Sequence, residues 1–255
     1  MSHCALITGA SKGIGKALAY ACAERGIHLY LIARTEGLLK SIAEELQNRV
    51  QVNYLAADLF LPDAPERIFA HAETLGIQPD ILINNAGMGY YGPFHEVDLS
   101  HHLRVMQLNM DACVRMTHHF LNVTDKHRKR YILNVASTAS FQPVPNMSIY
   151  AATKAFLLFF SQGLRHELRK SRVHVTTLCP GGTETEFFNP ANMQEVVKKN
   201  AAFMMKPEKV ANAGLDALFK NKSVVIPGYI NKIGALSAKL LPHNIVVPAA
   251  AKFFE

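Results

Sequence analysis

The feature that most restricts the fold is an alternation of two hydrophobic periods along the chain. Short, almost unbroken apolar runs at 4–8, 27–33, 50–56, 81–84, 131–136, 173–179 and 224–227 are separated by longer segments with helical spacing. Runs without polar interruption suit strands buried on both faces, as in a parallel sheet. The spacing between them predicts helices near 14–25, 35–48, 62–76, 99–122, 149–170 and 207–220. A βαβα succession of this kind predicts a single α/β domain over 1–255: a doubly wound parallel sheet of about seven strands with helices on both faces.

Composition excludes the main rivals. With 49% hydrophobic and 18% charged residues, a disordered chain is ruled out, and 15 Gly and 12 Pro among 255 residues fit neither collagen nor low complexity. The net charge of +7 permits contact with nucleic acid or an anionic membrane, and it equally suits an enzyme handling polyphosphate ligands. Cys4, Cys22, Cys113 and Cys179 form no CxxC pair and sit in apolar stretches. They read as reduced core thiols of a cytoplasmic protein, and no metal site is expected. The N-terminus lacks a basic region followed by a long apolar one, so no signal peptide is expected, and no run of about 18 apolar residues suggests a membrane span.

Where the first strand meets the first helix stands Thr8-Gly9-Ala10-Ser11-Lys12-Gly13-Ile14-Gly15. Glycines there allow a tight turn and let a pyrophosphate approach the amides of a helix N-terminus, the logic of a Rossmann-type dinucleotide site. The second strand ends in Ala33-Arg34-Thr35, without the acid that holds the ribose hydroxyls of NAD. The planar fork of Arg34, with Lys12 in the loop, suits the 2′-phosphate of NADP(H). The fourth strand ends in Asn84-Asn85-Ala86-Gly87 and the fifth in Asn134-Val135-Ala136-Ser137, at the sheet edge where ligands bind in open α/β folds. Tyr150 and Lys154 follow at a spacing that places both on one helix face.

In order and context these residues resemble the short-chain dehydrogenase/reductase family, in its subgroup with TGxxxGxG and YxxxK motifs. The resemblance covers roughly 3–227 and rests on Thr8–Gly15, Asp58, Asn84–Gly87, Asn109, Ser137, Tyr150, Lys154 and Pro180-Gly181. It implies that Tyr150 is the general acid or base. Lys154 would lower its pKa and bind the nicotinamide ribose, Ser137 would polarise the carbonyl, and Asn109 would position a relay water. Asp58 is implied at the adenine, with Leu59 beside it among the cofactor-binding residues. Asn85, Ala86 and Gly87 would line the cofactor, and Pro180, Gly181 and Thr183 would face the carboxamide. Hydride transfer between NADP(H) and a carbonyl or secondary alcohol is the implied reaction.

Met88, Tyr90, Tyr91, Phe141, Met147, Phe187 and Phe188 fall in segments expected to surround the carbonyl. Flexible Met and large aromatic side chains suit a hydrophobic substrate. Residues 184–206 are expected as a substrate lid and 229–255 as a C-terminal extension. That extension has helical spacing at Ile230, Ile233, Leu236 and Leu240; packing on its own subunit or a partner is favoured over lying on a membrane surface. Helix 149–170, apolar around most of its circumference at Phe156–Phe160, calls for cover from a partner subunit, and the resemblance implies a homodimer or homotetramer through it. The basic run Lys126–Arg130 reads as a solvated loop rather than a nucleic-acid contact. A non-catalytic NADP(H)-binding regulator is the alternative, although such a module has no need of a proton donor at Tyr150.

Overall fold

A computed structural model describes residues 3–188 and 203–254. Seven parallel strands lie in the order β3-β2-β1-β4-β5-β6-β7. They are β1 (Cys4–Thr8), β2 (His28–Ala33), β3 (Val52–Ala56), β4 (Ile81–Asn84), β5 (Arg130–Val135), β6 (Val173–Leu178) and the short β7 (Val224–Val225). Each expected strand is present with ends shifted by at most two residues. The order reverses between β3-β2-β1 and β4-β5-β6, which opens a crevice at the carboxyl ends of β1 and β4.

The period of two along each strand sorts its side chains into two cores. Ile7, Leu31, Ile83 and Leu133 face one side, under α1 (Gly13–Glu24), α2 (Glu36–Leu46) and the helix Pro207–Phe219, here α7. Leu6, Tyr30, Leu82 and Ile132 face the other, under α3 (Ala64–Thr74) and α5 (Ala112–Val123). Helices on both faces explain the unbroken apolar runs, since neither side of the sheet meets water.

The single helix expected over 99–122 is in fact interrupted. α4 (Leu99–Met106) passes through a π-helical turn, Gln107–Asp111, into α5. The wider turn inserts a residue into the helical ladder and directs Asn109 inward, where it is 1% exposed. α6 (Ser148–Glu167) matches its expected span, with its C-terminal turn tightened to a 3-10 turn over Leu168–Lys170.

The C-terminal extension forms two helices, α8 (Tyr229–Leu240) and α9 (His243–Phe254). α8 packs Ala235 and Ala238 inward. It lies on the 3-10 turn Thr138–Phe141, and Lys239 Nζ stands 4.9 Å from the centre of the Phe141 ring. Val246 and Ala250 of α9 are buried, so this end docks on its own chain. Most of the expected lid, residues 189–202, lies outside the described residues. Among the described residues no helix is long and apolar enough to cross a membrane.

Candidate active site

The end of β1 is clasped to the end of β4. Thr8 Oγ1 accepts the amides of Asn85 and Ala86, both at 3.1 Å, and donates to Ile83 O at 3.3 Å. Asn85 Nδ2 donates in return to Thr8 O at 3.0 Å and Gly9 O at 3.1 Å. α1 seats so closely on this clasp that a Cβ at Gly15 would stand 2.1 Å from Gly9 O and 2.4 Å from Asn85 Nδ2. Only glycine fits. The N-terminus of α1 carries neither a side-chain cap nor an acid in its first turn, so its amides are left to an anion such as a pyrophosphate. The loop therefore fits a dinucleotide by the shape of its cradle and the donors it offers.

Around this cradle the expected cofactor residues divide. Arg34 is exposed one residue past β2, beside the loop that Ala10 anchors by donating to Ile32 O at 3.2 Å. Lys12 is ion-paired with Glu186. Asp58 Oδ1 accepts the amide of Phe60 at 3.1 Å, closing the turn after β3. Leu59, the next of the expected cofactor residues, buries its side chain in the core under α3 and α5 at 7% exposure. Ile14 packs on the opposite core, and Ser11 stays half-buried in the loop.

The carboxyl end of β5 supplies Ser137, whose Oγ accepts the amide of Ala139 at 3.1 Å and so starts the 3-10 turn. The first turn of α6 brings Tyr150 against it. Lys154, 4% exposed one helical turn later, donates from Nζ to Val135 O at 2.9 Å and stands 5.7 Å from the Tyr150 ring centre. Ser140 Oγ donates to Lys154 O at 2.8 Å and fixes α6 to the Ser137 turn.

Burial dominates the electrostatics of this group. Burial pushes the Tyr150 phenol up to about 12, and the hydrogen bond with Ser137 pulls it the other way. Burial likewise brings the Lys154 ammonium down to about 8, opposed by Cys113 and Cys179. The lowered tyrosine pKa expected from the neighbouring lysine is therefore not what the chain alone produces: desolvation of the phenol outweighs the hydrogen bond with Ser137. Tyr150 is a protonated donor at neutral pH.

Asn109 completes the floor. Its Nδ2 donates to Met88 O and Thr153 Oγ1, and its Oδ1 accepts the Met88 amide, all at 2.9 Å. Both amide hydrogens are thus committed to protein partners, and the side chain acts as a clasp between β4's loop and α6. Gly87 lies in the gap between Asn109 and Lys154, where a Cβ would approach them at 3.1 and 3.3 Å.

Pro180 O accepts the amide of Thr138 at 2.8 Å, joining the turn after β6 to the Ser137 turn. Thr183 donates to Gly181 O at 3.0 Å and is 4% exposed, so its hydroxyl is spent inside the turn. Thr185 instead faces the glycine loop: a Cβ at Gly13 would meet its side chain at 3.1 Å. Thr185 and Glu186 were missed by sequence reasoning, although they lie in the segment flagged as a lid. Asn231 was also missed. Its side chain covers Gly181, 2.4 Å from where a Cβ would stand. No local signal marks a residue fifty positions along that reaches back from the C-terminal extension.

On the substrate side, Tyr91, Met147 and Phe187 pack around Tyr150. Gly89 lets them close in, since a Cβ there would touch Phe187 Cζ at 3.0 Å and Tyr150 Cδ2 at 3.1 Å. Met88 is held through its backbone by Asn109. Tyr90 turns to His101 of α4, with ring centres 5.0 Å apart. Phe141 joins a different cluster with Leu157, Cys179 and Ile226, away from Tyr150, because the 3-10 turn points it at α8. The Phe188 side chain falls outside the described set.

The same arrangement has relatives. The short chain dehydrogenase family model matches residues 3–196. Mouse 17-beta-hydroxysteroid dehydrogenase type 3 is 32% identical, over 91% of this chain and 77% of its own. Mouse very-long-chain 3-oxoacyl-CoA reductase is 33% identical, over 95% and 78%. A short-chain dehydrogenase from Sphingobium yanoikuyae in complex with NADPH superposes with a TM-score of 0.80 at 33% identity, over 92% of both chains. This chain belongs to the short-chain dehydrogenase/reductase family of nucleotide-binding oxidoreductases.

Proposed function

We propose that the protein is a single-domain NADP(H)-dependent carbonyl reductase or alcohol dehydrogenase acting on a hydrophobic substrate. The observation that carries this reading is the convergence of Ser137, Tyr150 and Lys154 beside a pyrophosphate-shaped glycine cradle. The bound nicotinamide supplies or accepts the hydride. Tyr150 gives its proton to the carbonyl oxygen as charge develops there, and Ser137 donates a hydrogen bond to the same atom. Lys154, held by Val135 O, keeps a cation near the phenol and so favours the phenolate left after transfer. Asn109 fixes the backbone at Met88 and, through Thr153, the start of α6.

Preference for NADP(H) rests on Arg34, exposed at the end of β2, with Lys12 nearby and no acid at that strand end. An NADPH complex among the related structures supports it. An apolar substrate is supported by the Tyr91, Met147 and Phe187 wall. The names of the steroid and very-long-chain acyl relatives point the same way. The exposed Phe156 and Phe159 of α6 suit a homodimer or homotetramer. The four unpaired cysteines suit a reducing, cytoplasmic compartment.

Fluorescence titration with NADPH and NADH, followed by turnover of apolar ketones by wild type and Tyr150→Phe, tests the reading. Tighter NADPH and loss of turnover with binding retained are expected. Tighter NADH would overturn the Arg34 assignment, and full activity of Tyr150→Phe would overturn the catalytic one.

A further inference from the structure

Lys126, His127 and Lys129 of the basic run are exposed in a loop, as its composition suggests, but the last member of the run is not. Arg130 is the first residue of β5 and only 5% exposed. Its Nη1 donates to Leu121 O, Thr124 O and Thr124 Oγ1 at 3.2, 3.4 and 3.1 Å, capping the end of α5. Its Nε is buried and has no hydrogen-bond partner among the described residues. A charged donor left unpaired in a nearly dry position is costly, so an anion brought against this guanidinium is favoured.

Arg130 forms part of the wall of a cavity of about 410 Å³ that it shares with Lys126, His127, Lys170, Ser171 and Arg172. Five of these six residues are basic and none is acidic. Asp80 is paired with His3 and Arg128; Asp125 accepts the His127 amide through Oδ1, and its charge opposes the effect of burial on Arg130. Arg172 braces the wall by donating to His127 O at 3.1 Å. Lys126 and Lys170 are exposed, so both ammonium groups are available to a ligand.

The site is remote from the chemistry. Arg130 and Val173 begin β5 and β6, whereas Ser137 follows the carboxyl end of β5. Six residues of strand put about 20 Å between them. A dinucleotide in the glycine cradle does not use this end of the sheet.

We propose that the cavity is a second anion site, which takes a phosphate-class dianion through Lys126, Lys170, Arg172 and the buried Arg130. Phosphate chemistry is favoured because several cations converge on one small cavity, where a dianion can accept from more than one of them at once. The same chemistry is offered by a free phosphate and by a phosphomonoester lipid headgroup such as that of phosphatidate.

The test is a titration of the full chain with inorganic pyrophosphate at constant ionic strength, followed residue by residue through backbone amide NMR shifts. This readout separates the cavity from the glycine loop, so it stands whether or not the protein binds NADP(H). Saturable shifts at 126–130 and 170–172 are expected, with affinity at least about tenfold weaker in Lys126→Ala/Lys170→Ala, whose side chains are exposed. Flotation with phosphatidate-containing vesicles against phosphatidylcholine alone distinguishes the sources. Vesicle binding lost in the double variant assigns a headgroup, and saturable pyrophosphate binding without vesicle binding assigns a free phosphate. Shifts confined to 9–15, or shifts at the cavity that do not saturate and that chloride reproduces, would overturn the proposal.

Discussion

Lys12, in the glycine loop, and Glu186, in the segment that follows β6, form an ion pair across 174 positions of sequence. The carboxylate sits on a cation that the proposed function assigns to the 2′-phosphate of NADP(H), and Thr185 rests on Gly13 beside it. On that assignment, a 2′-phosphate at Lys12 would compete with the loop that carries Phe187 to the Tyr150 wall.

Replacing Glu186 with Gln should tighten NADPH by about two- to fivefold and leave NADH nearly unchanged. The effect is small because the two side chains are 53% and 62% exposed, and such pairs are worth little in water. It should shrink further as salt is raised. Equal tightening of both nucleotides would show that Lys12 does not meet the 2′-phosphate.

Gly15→Ala should be far more severe. The added methyl would occupy space already held by Gly9 O and Asn85 Nδ2, both backbone-anchored parts of the clasp between β1 and β4. Either α1 moves off the loop or the clasp opens. Loss of detectable nucleotide binding and a destabilisation of about 2 kcal/mol or more are expected, read from titration and urea unfolding. Gly163→Ala, with nothing within 4 Å of the added Cβ, serves as the control that should bind normally.

The contrast between these glycines shows what the sequence could and could not convey. Strand positions were legible because a sheet covered on both faces leaves an unbroken apolar run, and helices because one face repeats at a fixed period. The glycine cradle and the Tyr150–Lys154 pair were legible because each is local, a few residues apart on one turn. The burial of Leu59 and the direction of Phe141 were not legible, for the opposite reason. Both lie in turns where a change of direction of one residue decides between the cleft and the core. Asn231 on Gly181 and Glu186 on Lys12 are contacts between distant segments, and no spacing announces them. The π turn at Gln107–Asp111 is likewise invisible in a helical pattern, although it is what turns Asn109 inward. The pKa of Tyr150 was inferred from its charged neighbour, whereas burial, a property of the packed whole, sets its direction.

Phe159 is 74% exposed on α6, and Phe156 stacks on Phe160 with ring centres 5.8 Å apart. If this face meets a second copy, Phe159→Glu should shift the protein to a smaller species in analytical ultracentrifugation, since burying an unpaired carboxylate costs several kcal/mol. An unchanged sedimentation coefficient, with wild type oligomeric, would place the interface elsewhere.

Lys154→Met should stabilise the fold at neutral pH while removing activity. The Lys154 pKa falls from 10.5 to about 8 on folding, so below pH 8 the buried ammonium is a penalty carried only by the native state. That penalty is about 3 kcal/mol, and the methionine avoids it while leaving Val135 O unpaired, which costs about 1–2 kcal/mol. Between pH 8 and 10.5 the unfolded chain binds the proton that the native lysine has released, so wild-type stability rises with pH relative to the variant. The variant should therefore unfold at higher urea at pH 7, lose its advantage across that window, and fall below wild type above it. Parallel stability curves across that range would show that Lys154 keeps its ordinary pKa in the folded protein. Its ammonium would then have to be stabilised by more than the Val135 carbonyl.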